Sequence, residues 1–305
     1  MPSYNEILQE ISSCPQPHNL DYVRIKYVKD LSSYTHRNVI CYYSGFLTGS
    51  PVIGSDINDM DINYLMANVY GLDKSKGLDL ILHTPGGSIA ATEAIVNYLR
   101  SVFGNDIRAI VPQICMSAGT MISCACKSIV MGNQSSIGPI DPQFRGVPAQ
   151  GVLYEFEEAV NDAKRNPSSI PLWQTIINKY NPTLIGECQN AIELSKELVT
   201  EWLASNMFKD ESDAKYKAEN VVRKLNNHKD TKTHDRHINK ANAQKIGLVI
   251  EGLEEDNTLQ DLVLSIHHAY MITLSNIPII KIVENQNGVN AGMVTNNNSQ
   301  VPNHS

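Results

Sequence analysis

Short β-rich runs alternate along this chain with segments of helical periodicity, and that alternation limits the fold more than any other feature. Asn38 to Tyr43, Leu78 to His83, Ile107 to Val111 and Ser128 to Met131 read as strands. Between the second and third, Ala90 to Phe103 carries apolar residues at 91, 94, 95, 98, 99 and 102, a helical stripe. Between the third and fourth, Ala118 to Lys127 reads as a short helix of small and apolar residues. Strand–helix–strand units at this spacing imply parallel strands with right-handed crossovers, an α/β fold. Further on, Leu184 to Phe208 reads as a long amphipathic helix with Ile185, Cys188, Ile192, Val199 and Trp202 near one face. A more polar helical stretch over Asp213 to Leu225 and a helix near Leu259 to Leu274 follow.

Three loops follow three of these strands, and parallel α/β folds place their chemistry at the C-terminal ends of strands. The first is His83-Thr84-Pro85-Gly86-Gly87-Ser88. Paired glycines let the backbone turn tightly and present bare N–H groups at a helix start. The second is Pro112 to Thr120, in which Ser117 stands at a strand-to-helix junction. A hydroxyl there lies near the positive end of the helix dipole, and the next backbone N–H can point at a developing oxyanion. The third, Gly132 to Gln143, holds two glycines and two prolines. Taken singly each has a plainer reading: a turn, an N-cap, an irregular loop.

In combination, Thr-Pro-Gly-Gly-Ser, then Met-Ser-Ala-Gly-Thr, then Ser-Ser-Ile-Gly-Pro-Ile-Asp-Pro-Gln resemble the serine peptidases of the Clp/crotonase superfamily. The sequence is most similar to the serine dehydrogenase proteinase family, relatives of signal peptide peptidase A and the Clp proteolytic subunit. The resemblance runs from about Arg37 to Asn285. It implies a spiral of ββα units with helical C-terminal additions, and peptide hydrolysis through an acyl-enzyme. It makes Ser117 the nucleophile, and Gly87 and Ala118 the backbone oxyanion donors. No dinucleotide fingerprint Gly-x-Gly-x-x-Gly supports the "dehydrogenase" of the family name.

The resemblance leaves the base open. Asp235-Arg236 precedes Gly247-Leu248 by twelve residues, as the triad aspartate precedes a Gly-Leu pair in the Clp subunit. Where that enzyme carries its histidine, this chain has Asp141, and an ordinary carboxylate is a poor base for a serine hydroxyl. A lysine base of the signal peptide peptidase type would be Lys179, directly before the long helix, or Lys164. Such a lysine has to be desolvated to lose its proton near neutral pH, at a cost of roughly 4 kcal/mol. His234 or His237, flanking Asp235, is the other repair. The preferred expectation is a Ser117–Lys179 dyad; the competing one is a crotonase-fold scaffold that has lost its base.

Composition bounds the rest. The 305 residues carry a net charge of -7, which argues against a general nucleic-acid binder. The Lys215 to Lys245 stretch, with nine basic residues against three acidic, reads as a solvated face. Six dispersed cysteines, with 115, 124 and 126 among apolar residues, suggest packing thiols in a reducing compartment. Neither a signal peptide nor a membrane-spanning run is evident, so the expected location is cytoplasmic. No cofactor or metal is expected: His267 and His268 point about 100° apart on a helix, and Asp56, Asp59 and Asp61 read as a turn and helix cap. The expected partners are a peptide or protein substrate and further copies of the chain. The domain reading is an N-terminal helical segment (1–30), a peptidase domain (31–285) and a disordered Asn-rich tail (286–305).

Overall fold

The computed structural model describes residues 2–48, 53–144, 146–226 and 233–294. Helices α1 (Tyr4–Ser13) and α2 (Asn19–Thr35) precede β1 (Asn38–Ser44), α3 (Asp61–Val69), β2 (Leu78–His83), α4 (Ile89–Phe103) and β3 (Ile107–Val111). Then come β4 (Ile114–Cys115), α5 (Ala118–Cys124), β5 (Ser128–Met131), β6 (Ser136–Ile137), β7 (Gln143–Phe144) and β8 (Val147–Pro148). Helices α6 (Ala149–Arg165), α7 (Ile170–Ile177), α8 (Leu184–Trp202) and α9 (Ala214–Leu225) follow. The chain continues through β9 (Ile238–Asn239), α10 (Lys240–Ile246), β10 (Ile250–Gly252), α11 (Asn257–Asn276), β11 (Ile279–Asn285) and β12 (Asn290–Val294).

Seven strands form the central sheet in the order β10-β5-β3-β2-β1-β11-β12. The first five are parallel, and β11 and β12 add antiparallel at one edge. Both faces are covered, which is why its strands read as nearly continuous apolar runs. Leu78, Leu80 and Leu82 of β2 face one core, with Ile95 and Leu99 of α4 and Val199 and Trp202 of α8. Ile81 faces the other, with Val28 and Leu31 of α2 and Val263, Ile266 and Tyr270 of α11.

The chain departs from the expected tail. Asn290–Val294 pairs with β11, because an edge strand is held by main-chain hydrogen bonds and needs little from its side chains. The rest of that tail, from 295 onward, lies outside the described residues, as do 227–232 of the basic stretch. Among the described residues no helix is long and apolar enough to cross a membrane.

His83, the last residue of β2, is fully buried beside Tyr43, Phe46 and His267, with ring centroids 5.4, 4.9 and 5.4 Å away. Burial pushes its imidazole down from the usual 6.5 to about 4, and pushes His267 down as well. The folded chain therefore binds fewer protons than the unfolded chain between these values. Stability is complete above about pH 6.5 and is lost as pH falls toward 4, by roughly 3 kcal/mol for His83. We expect thermal melts to show this acid loss in wild type and a shallower one in His83→Phe.

Candidate active site

Two sheet-end loops meet where β2 and β3 finish. Thr84 forms a parallel bridge with Cys115: its N–H donates to Ile114 O (3.1 Å) and its carbonyl accepts from Met116 N–H (3.0 Å). This pins the Pro85-Gly86-Gly87 turn against the Met116-Ser117 junction. The fit is close, since a side chain on Gly86, whose φ is +102°, would lie 2.6 Å from Ser117 Cβ. Ser88 then caps α4 by accepting from Ala91 N–H at 3.3 Å.

Ser117 has φ 49° and ψ −113°, a conformation that L-residues avoid. It stands at the N-cap of α5, yet its hydroxyl makes no capping bond. The plainer reading of this serine as a helix cap therefore fails on geometry. Its side chain instead lines a cleft of about 590 Å³. Backbone strain held at a residue lining a cleft is characteristic of functional positions.

Gly87 lines the same cleft. On either side of it, Ile57 N–H donates to Gly86 O (2.7 Å) and Ser88 N–H donates to Ile57 O (2.9 Å). Amide groups alternate in direction along an extended backbone, so the N–H of Gly87 itself points away from Ile57. Ala118 is the first residue of α5, where an N–H has no partner within the helix. A Cβ on Gly87 would stand 2.3 Å from both the nitrogen and the oxygen of Ile57. Gly87→Ala is thus expected to destabilise the fold by about 2–4 kcal/mol, read as a lowered melting temperature.

The third loop carries the imidazole to this cleft. Ser136 N–H donates to Gln113 O (2.7 Å), and β6 pairs with β4 in parallel and with β9 antiparallel. Through β9 the segment beginning at Thr233 is laid beside the loop. Its His234 lines the cleft and shares a hydrogen bond of 2.9 Å between Nδ1 and Oδ1 of Asp141, which is fully buried. His237, in contrast, bonds Ser136 Oγ through Nδ1 at 2.7 Å. Asp235 lines the cleft and is exposed. The remaining wall includes Met121, Ile140, Phe144 and Leu194, which form an apolar surface.

Neither candidate lysine is brought to Ser117. Lys164 is exposed in the last turn of α6, and Lys179 is exposed on a separate cleft of about 260 Å³ with Tyr180, Leu184 and Glu187. Both lie in water, without the desolvation that a lysine base requires. Asp141 is the functional candidate that sequence reasoning passed over, being weighed only as a base. The available signal was reciprocal: an acid stood in the histidine's place while a histidine flanked the acid's place. Among the described residues, no group of three or more His, Cys, Asp or Glu is placed to hold a metal.

Comparison with known proteins places the chain in a family. The sequence profile described as ClpP-like SDH-type serine proteinase matches residues 45–263. Two uncharacterized proteins of Methanocaldococcus jannaschii are similar. One is 33% identical over 143 residues, covering 46% of this chain and 49% of that protein. The other is 30% identical over 176 residues, covering 57% and 51%. The chain thus spans about half the length of the curated relatives it matches. Among solved structures, a mutant of a membrane-bound stomatin-specific protease aligns at a TM-score of 0.37 and 15% identity, over 68% of this chain and 79% of that one. That last likeness is too loose to build on, whereas the profile match covers most of the chain and includes every cleft residue discussed above. The chain belongs to the ClpP-like SDH-type serine proteinase family.

Proposed function

We propose that this protein is a serine peptidase whose working triad is Ser117, His234 and Asp141. The observation that carries the reading is the His234–Asp141 hydrogen bond, 2.9 Å, on the wall of the cleft that Ser117 lines. Asp141 accepts Nδ1–H and thereby favours the neutral tautomer with a free Nε2 lone pair. Nε2 takes the Ser117 proton as Oγ attacks the peptide carbonyl carbon, and the carbonyl π-electrons move to oxygen. The Gly87 and Ala118 N–H groups receive that oxyanion. Collapse re-forms the carbonyl and breaks the C–N bond, while His234 gives its proton to the leaving amine. Water, deprotonated by His234, then releases the acid from the acyl-enzyme.

The apolar wall suits a substrate side chain that is itself apolar, within a peptide or unfolded protein. We place this activity in a reducing compartment such as the cytoplasm, in keeping with six free cysteines of which five are buried. A homo-oligomer is proposed on the family resemblance alone. The competing scaffold reading rests on the missing histidine at position 141; the His234–Asp141 hydrogen bond supports the peptidase reading over it. Incubation with casein, followed by mass spectrometry of the products, tests the proposal. Fragments should form with wild type and not with Ser117→Ala. Casein left intact by wild type, with Ser117 also inert to a fluorophosphonate, would favour the scaffold.

A further inference from the structure

We propose that the buried Asp61–Lys281 ion pair, with Tyr42, positions the oxyanion loop by holding Ile57 against Gly87. The proposal deepens the peptidase reading and rests on it.

Lys281 lies in β11 and Asp61 in the first turn of α3, and both side chains are fully buried. A buried ammonium needs three acceptors, and this one has them in the Asp56 carbonyl (2.7 Å) and in Asp61 Oδ1 (2.7 Å) and Oδ2 (2.9 Å). Asp61 Oδ2 also accepts from the Tyr42 hydroxyl (2.8 Å) and from Asn58 N–H (3.0 Å). The pair therefore grips the chain at Asp56 and, through Asp61, at Asn58. One residue lies between those two grips. It is Ile57, whose N–H and C=O make the two hydrogen bonds that flank Gly87.

The consequence is geometric. Gly87 has no side chain to anchor it, so the direction of its N–H is set by the bonds on its other edge. Ile57 supplies those bonds, and the ion pair supplies the position of Ile57. Removing one charge from a fully buried pair is destabilising, whereas removing both is often tolerated. The network is therefore replaceable as far as folding is concerned, but a neutral replacement would no longer hold the Asp56 carbonyl and Asn58 N–H at fixed points. Asp61 and Lys281 touch neither the substrate nor Ser117; they are positioning residues that act through the backbone.

The test uses a fluorophosphonate probe, whose phosphoryl oxygen occupies the oxyanion position. Saturation kinetics separate its binding constant from the rate of attack by Ser117. In the double variant Asp61→Leu/Lys281→Met, which removes both charges and every hydrogen-bonding group of the pair, the attack rate should fall at least tenfold with binding within twofold. Tyr42→Phe, which removes one hydroxyl and keeps both charges, should slow attack two- to threefold and serves should the double variant fail to fold. Hydrogen exchange of the Gly86–Ser88 backbone should quicken in both variants. Ile266→Val, a core truncation on the opposite face of the sheet, should lower the melting temperature without slowing attack. Unchanged attack rates in folded variants, with wild type labelled at Ser117, would overturn the positioning role alone. A wild type that is not labelled at Ser117 would overturn the peptidase reading and this proposal with it.

Discussion

Ser117→Gly is expected to abolish acylation and to stabilise the fold at once. A non-glycine residue at φ 49°, ψ −113° stores on the order of 1–3 kcal/mol, and glycine adopts that conformation freely. Against this stands the larger entropy glycine loses on folding, about 1 kcal/mol or less. The net gain should be about 1 kcal/mol, seen as a raised melting temperature, while hydrolysis falls by roughly 10⁴-fold or more. Ser117→Ala separates the two effects, since it removes the hydroxyl and keeps the strained backbone. It should lose activity equally without becoming more stable. A loss of stability in Ser117→Gly would mean that the strained turn is held by contacts of the serine side chain itself.

The second large effect concerns the base. His234→Ala removes the proposed proton acceptor and should lower hydrolysis by about 10³–10⁴-fold; because it also takes this partner from the fully buried Asp141 carboxylate, it should cost about 1–3 kcal/mol of stability, seen as a lowered melting temperature. Asp141→Asn is the sharper probe. It keeps the shape of a fully buried side chain but can offer Nδ1 an N–H in place of a carboxylate oxygen, which favours the wrong imidazole tautomer. A fall of similar size is expected. Lys179→Ala and Lys164→Ala should stay within about twofold of wild type, since both side chains are exposed away from the Ser117 cleft.

Much of the parallel sheet was legible from the chain, and the reason is its burial on both faces. Residues 78–83, 107–111 and 128–131 form strands with the bounds their apolar runs suggest. β11 was harder to read, because Lys281 and Glu284 interrupt its apolar pattern; both are buried with partners, Asp61 and Arg24, from distant segments. β12 escaped because its asparagine-rich composition resembles a tail, and edge pairing asks little of composition. At the site, the turns that bring Ser117 and Gly87 to one cleft are contiguous in sequence, which is why a motif resemblance could single those two residues out. His234 was offered as one alternative base, but its pairing with Asp141 was not legible, because the two are 93 residues apart and meet only through the pairing of two-residue strands. No local periodicity reports such a contact. The preference for Lys179 came from its place before α8, which is indeed adjacent to the helix, but its side chain faces a different cleft.

The rate constant for fluorophosphonate labelling, with the adduct located by peptide mass spectrometry, tests the central claim most directly. Wild type, His234→Ala and Lys179→Ala are compared under identical conditions. The predicted result is a single adduct on Ser117 in wild type, labelling slowed at least a hundredfold in His234→Ala, and labelling unchanged in Lys179→Ala. Labelling that survives in His234→Ala and disappears in Lys179→Ala would contradict the triad of Ser117, His234 and Asp141.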